Sequence, residues 1–122
     1  MKKFWSTLIL LLVLVLTACG NNEYKDVSIE EAKGLIDNKD VVILDVRTTE
    51  EYQEGHIPNA TLIPLQELES RLDELDEQQT YLVVCRSGNR SAQASDLLTN
   101  NGFSNIYNMT GGMNSWSYEI EN

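Results

Sequence analysis

Tyr81-Leu82-Val83-Val84-Cys85-Arg86-Ser87-Gly88-Asn89-Arg90-Ser91 runs from a continuous apolar segment straight into small, polar and basic residues. The run of large apolar and β-branched residues from Thr80 to Val84 shows no alternation, so it predicts a strand covered on both faces. A helical segment from about Ser91 to Asn100 follows, burying Ala94, Leu97 and Leu98. A thiol therefore stands where a buried strand ends, and the next backbone N–H groups belong to a tight loop that feeds a helix N-terminus. Such a loop gathers anions, because its N–H groups and the helix dipole point the same way. Gly88 allows the turn, and Arg86 and Arg90 add positive charge.

Outward from this stretch the same alternation repeats. Upstream, Val41-Val42-Ile43-Leu44 is a second continuous apolar run, and Asp45-Val46-Arg47 stands at its end. Ser28 and Glu31 have capping-box spacing, so a helix begins there and continues to about Asp37 through Ile29, Ala32, Leu35 and Ile36. Asp26 and Val27 enter a short edge strand. Thr49 caps a short helical turn through Tyr52, Gly55 to Ala60 is a turn-rich loop, and Thr61-Leu62-Ile63 is a strand stopped by Pro64. From Leu65 to Leu75 the leucines recur at intervals of three and four, predicting one amphipathic helix with an acidic solvated face. Downstream, Asn101-Gly102 stops the helix after the loop, and Asn105 to Met109 forms the last strand. Gly111-Gly112-Met113 then turns into a final segment carrying Trp116. Strands alternating with helices predict an α/β domain with a largely parallel sheet of about five strands and helices on both faces. Ligands of such sheets bind at the carboxyl ends of the strands, where the Cys85 loop lies.

The first residues read differently. Met1-Lys2-Lys3 is basic, Phe4 to Leu16 is almost wholly apolar, and Leu16-Thr17-Ala18-Cys19 closes the run with small residues. This is the build of a secretory signal, too short for the roughly 20 apolar residues of a membrane span. It resembles a bacterial lipoprotein signal, which implies cleavage before Cys19 and lipidation of its thiol. The expected organisation is a signal peptide over 1–18, a lipidated tether over 19–25 and a domain over 26–122. The domain would then be extracytoplasmic and anchored to the cell membrane through Cys19. From Gly20 to Lys25 the tether reaches at most about 20 Å.

Charge narrows the partners. The chain carries 9 basic and 19 acidic side chains, a net charge of −10, and loss of Lys2 and Lys3 deepens the imbalance. No basic stripe is available to neutralise phosphates, so nucleic-acid binding is excluded. Only two cysteines are present. With Cys19 lipidated, Cys85 has no disulfide partner, and its polar, basic neighbours mark it as reactive rather than as core. An ordinary cysteine is only about 3% thiolate at neutral pH, but a helix N-terminus and nearby cations raise that fraction. Residue types and spacing thus point to nucleophilic cysteine chemistry on a small anion.

At this point the sequence resembles the rhodanese-like sulfurtransferases. The resemblance is carried by Val42 to Arg47, by Glu51-Tyr52 with Gly55 to Ala60, by Cys85 to Ser91, and by Gly111-Gly112-Met113 with Trp116. It implies that Cys85 attacks the outer sulfur of a donor such as thiosulfate, becomes a persulfide, and passes sulfur to an acceptor such as cyanide or a thiol. The N–H groups of Ser87, Gly88, Asn89, Arg90 and Ser91 would hold the persulfide, and Arg86 and Arg90 the anionic donor. Asp45, Arg47, Glu51 and His56 match the family's outer motifs and take structural roles. His56, the single histidine, reads as a packed turn residue rather than as a base for Cys85, and Tyr107 and Trp116 read as core. Neither a metal nor a cofactor is called for.

Three function classes compete. One is the sulfurtransferase or a persulfide carrier, and another is a redox or binding module without turnover. The third is a cysteine-dependent phosphatase or arsenate reductase, whose Cys-to-Arg loops resemble a cysteine, five residues and an arginine. Here Cys85 to Arg90 is one residue shorter, which narrows the pocket and favours attack on sulfur over phosphate.

Overall fold

The computed structural model describes residues 23–122. Its strands are β1 (Lys25–Val27), β2 (Val42–Asp45), β3 (Thr61–Leu62), β4 (Tyr81–Val84) and β5 (Ile106–Met109). They form one sheet in the order β1-β5-β4-β2-β3, and every pairing is parallel. Helices α1 (Ile29–Asp37), α2 (Thr49–Glu54), α3 (Leu65–Leu68) and α4 (Asn89–Asn100) lie in the crossovers between successive strands, and α5 (Gly112–Ser115) follows β5. This is the α/β architecture the alternation predicts. The expected signal peptide and lipidation site, Cys19, lie outside the described residues. Among the described residues no helix is long and apolar enough to cross a membrane.

β4 is central, and its pleat divides the interior into two cores. Tyr81, Val83 and Cys85 face a cluster with Ala94 and Leu98 of α4, Leu68 of α3 and Phe103. Leu82 and Val84 face the other side, with Ala32 of α1, Ile57 and Met109. All four β4 residues are buried, as a strand covered on both faces requires. Cys85 is the next residue in that alternation, so the strand carries its side chain into the first cluster, beneath the start of α4.

The caps set where helices begin. Ser28 and Glu31 form the expected capping box on α1, with the Glu31 N–H donating to Ser28 Oγ at 3.1 Å. For α2 the cap is Thr48 rather than Thr49, because Glu51 closes a second box back onto Thr48. The helix after the Cys85 loop starts at Asn89, two residues earlier than its apolar pattern indicates. Gly88 takes φ 103°, a left-handed conformation, and its carbonyl already accepts the Ala92 N–H at 3.2 Å.

The single helix expected from Leu65 to Leu75 is corrected. It is α-helical only to Leu68 and continues as a tightened 3₁₀ segment, Glu69–Glu74, with Arg71 at φ −120°. Pro64 leads into it without a side-chain cap. A segment this short does not sustain an α-helix by its own hydrogen bonds. Leu65, Leu72 and Leu75 pack against the first cluster together with buried Leu68, so contact with the sheet sets the winding.

Candidate active site

β2 and β4 are paired neighbours, with Asp45 in register with Val84, so their carboxyl-end loops lie side by side. In the β4 loop, Cys85 is fully buried. The Gly88 N–H donates to Cys85 Sγ at 3.0 Å, and Sγ lies 3.3 Å from Ser91 Oγ. The Ser91 hydroxyl donates in turn to the Gly88 carbonyl at 3.1 Å. Burial pushes the thiol's pKa up. Hydrogen bonding by the backbone N–H groups of Ser91, Gly88 and Ser87, and by the Ser91 hydroxyl once it turns from the Gly88 carbonyl to the thiolate, outweighs it, and the net direction is down.

A clamp from α5 holds the start of this loop. Met113 N–H donates to the Cys85 carbonyl at 2.8 Å, and Asn114 N–H donates to the Arg86 carbonyl at 2.9 Å. Anchoring these carbonyls fixes the peptide planes at the start of the loop. The clamp needs close approach: Gly112 has φ 60°, and a Cβ there would stand 2.4 Å from both the carbonyl carbon and oxygen of Arg86. In the sequence the paired glycines signal only a turn. Their contact with a loop more than twenty residues earlier belongs to the tertiary structure.

The two loop arginines have different settings. Arg86 is exposed and lines a cavity of about 230 Å³ together with Glu54, Asn114, Met113, Trp116 and Ile120. Arg90 is held by Glu51 through two hydrogen bonds, 2.6 and 2.8 Å long. This pair pulls the Glu51 carboxyl down to about 2, chiefly through the hydrogen bond from Arg90 and against the opposing effect of burial. Ser87 and Asn89 are exposed on the loop's rim, and Ser91 is buried under it.

The outer residues brace the site. Asp45 and Arg47, both buried, form a 2.7 Å ion pair; Arg47 also donates to the Gly55 carbonyl at 2.9 Å, tying the β2 loop to the end of α2. His56 Nδ1 lies 2.8 Å from the Tyr52 carbonyl, its ring stacks on Tyr52 at 3.6 Å, and its Nε2 is 3.4 Å from Glu121. The His56 contacts therefore run to α2 and the C-terminal strap rather than to the thiol. Trp116 and Tyr107 pack, half-buried, against the second core cluster.

A buried thiol ringed by N–H donors at a strand's carboxyl end now has both a place and a chemistry. Residues 28–119 match the Rhodanese-like domain. The chain belongs to the rhodanese-like family. It is 34% identical over 93 residues to the thiosulfate sulfurtransferase GlpE of Pseudoalteromonas translucida, covering 76% of this chain and 89% of that protein. It is 38% identical over 97 residues to the putative sulfur carrier protein YrkF of Bacillus subtilis, covering 79% of this chain but only 52% of that protein, about half its length. Among solved structures, a rhodanese-like domain protein from Staphylococcus aureus superposes with TM-score 0.73 at 38% identity, over 80% of this chain and 96% of that one. Sulfur transfer is thus the general chemistry of the rhodanese-like relatives, and the fold is theirs.

Proposed function

We propose that the chain is a rhodanese-type sulfurtransferase in which Cys85 carries sulfane sulfur as a persulfide. The observation that carries this reading is the polar ring at Sγ: Gly88 N–H donating at 3.0 Å, Ser91 Oγ in hydrogen-bond contact at 3.3 Å, and a thiol pKa driven downward by Ser91, Gly88 and Ser87. In the first step the Cys85 thiolate attacks the outer sulfur of thiosulfate. The new S–S bond forms as the old one breaks, and sulfite leaves with the electron pair. In the second step a thiophilic acceptor, cyanide or a thiolate, attacks the outer sulfur of the persulfide, and Cys85 leaves as thiolate. The inward N–H groups stabilise the negative sulfur in both states, a preorganised electrostatic contribution. Arg86 is the cation placed to meet an anionic donor, whereas Arg90 acts mainly through its charge near the loop.

Intact-mass analysis of the full chain after thiosulfate treatment tests the reading. One added sulfur is expected, removable by cyanide and absent in Cys85→Ala. No adduct with any sulfane donor overturns it. A carrier role, in which the persulfide waits for a protein acceptor, has support in the likeness to a putative sulfur carrier protein. Slow cyanide turnover with a long-lived Cys85 persulfide would favour that role.

The lipid anchor is part of the same proposal, resting on the Leu16-Thr17-Ala18-Cys19 motif. Residues 1–18 are a lipoprotein signal, and Cys19 tethers an extracytoplasmic domain to the membrane. Labelled fatty acid should enter the wild-type chain and not Cys19→Ala; equal labelling of both would refute the anchor.

A further inference from the structure

Peptide geometry links the contacts of α5 to the donors at sulfur. A trans peptide is planar, so its C=O and N–H point to opposite sides. Asn114 N–H donates to the Arg86 carbonyl at 2.9 Å. The N–H of that same peptide belongs to Ser87, so it is directed away from Asn114, and it is one of the backbone donors that lower the Cys85 thiol's pKa. Met113 N–H holds the preceding peptide through the Cys85 carbonyl at 2.8 Å, so two consecutive peptides are fixed. A carbonyl that accepts a hydrogen bond also polarises its own peptide, which makes its N–H the stronger donor. The turn that makes these contacts is itself anchored: Thr110 N–H and Oγ1 donate to the Val27 carbonyl at 3.0 and 3.1 Å, and Trp116 N–H donates to the Met113 carbonyl at 3.2 Å.

Two glycines of that turn are left-handed, Gly111 at φ 81° and Gly112 at φ 60°, and they differ in what a side chain would meet. A Cβ on Gly111 would stand 3.1 Å from Ser115 Oγ, inside α5. A Cβ on Gly112 would stand 2.4 Å from the carbonyl carbon and oxygen of Arg86 and 2.6 Å from the Ser87 nitrogen. Those three atoms are the Arg86–Ser87 peptide itself. We propose that Gly112 and Asn114 are positioning residues for sulfur transfer, holding the Arg86–Ser87 peptide so that the Ser87 N–H faces the Cys85 sulfur. The proposal rests on the sulfurtransferase reading above and adds to it residues outside the loop that set one of sulfur's donors. Neither side chain touches sulfur; their effect passes through the Ser87 N–H to the thiolate and to the persulfide anion. The charged groups around the loop, Arg86, Arg90 with Glu51, and Asp45 with Arg47, are unchanged in the variants that test this.

The test follows ultraviolet thiolate absorbance of the full chain across pH, referenced to Cys85→Ala, in Gly112→Ala and in Gly111→Ala. Both variants put a side chain at a left-handed position of the same turn, but only Gly112→Ala reaches the loop. In Gly112→Ala the midpoint of thiolate formation is expected to rise by about half to one pH unit, roughly a three- to tenfold loss in the thiolate equilibrium constant. In Gly111→Ala it should stay within about a fifth of a unit of wild type. Persulfide formation from thiosulfate, followed by mass, should slow in Gly112→Ala below the midpoint and recover toward wild type at higher pH, because the thiolate is the nucleophile. Asn114→Pro removes the N–H in the first turn of a helix, where proline is tolerated, and should raise the midpoint as Gly112→Ala does. It decides the matter if Gly112→Ala does not fold. An unmoved midpoint in either variant that reaches the loop, or equal shifts in the two glycine variants, overturns the positioning role. The midpoint is read without a sulfur donor, so absence of a Cys85 persulfide in the wild-type chain would instead remove the sulfurtransferase reading.

Discussion

The loops after β2 and β4 leave adjacent parallel strands at the same end of the sheet, and each leads into a helix. One is closed by its own side chains and the other is left open. After β2, the Asp45 carboxylate accepts the Arg47 backbone N–H at 3.0 Å and its guanidinium at 2.7 Å, and Thr48 and Glu51 cap α2 reciprocally. After β4, Gly88 caps α4 with no side-chain hydrogen bond, and the free N–H groups converge on a sulfur atom. The same architecture thus serves structure where the chain supplies a carboxylate, and chemistry where it supplies a thiol that must exchange its ligand. The Glu51–Arg90 pair joins the two, holding the first turn of α4 against α2.

The largest expected effect comes from opening the closed loop. Asp45→Ala leaves Arg47 buried without its partner, and should cost about 3–5 kcal/mol in urea unfolding. A loss below about 1 kcal/mol would mean that Arg47 finds water or another acceptor, and that the β2 loop is not held as described.

A smaller effect is expected where the loops meet. The folded carboxyl of Glu51, near 2, lies below its ordinary 4.5, so its contribution is fully present above pH 4.5 and is lost as pH falls through about 2. Glu51→Gln should therefore be less stable than wild type by about 1–2 kcal/mol at neutral pH, allowing for solvent screening of a partly exposed pair. The gap should narrow progressively below pH 4.5. Parallel pH profiles of the two proteins would show instead that Glu51 and Arg90 are not joined in solution.

The smallest effect sharpens the open loop. Ser91→Ala removes one hydrogen bond from sulfur and should raise the midpoint of thiolate formation by about half to one pH unit. Ultraviolet thiolate absorbance, read as a difference from Cys85→Ala, measures it. The sign is fixed by the downward direction of the Cys85 pKa: the thiolate is the form these donors favour, so losing a donor returns the midpoint toward an ordinary thiol. No movement would leave the backbone N–H groups as the whole cause.

Much of this comparison is legible in the residues. The two unbroken apolar runs and the alternation around them mark a parallel sheet with its ligand end at Cys85, because the pattern of burial along a strand is written locally. Ser28 and Glu31 show the first helix start for the same reason. The apolar spacing from Leu65 to Leu75 did not reveal its 3₁₀ continuation, since the winding there follows the surface on which the leucines pack. The partner of Arg90 was equally hidden. From sequence both loop arginines have the same claim on a donor, and Glu51, thirty-nine residues away, distinguishes them only once α2 and α4 are placed.

By itself, then, the sequence determined a reactive cysteine in an anion-gathering loop on an α/β domain, because strand burial, turn residues and helix caps are all short-range properties. The tertiary structure alone decided how that loop is used. Met113 and Asn114 tie down two of its carbonyls, Gly112 admits their approach, and Glu51 takes Arg90. Each of these joins residues distant in the chain, and their separation and direction exist only after the sheet has brought the strand ends together.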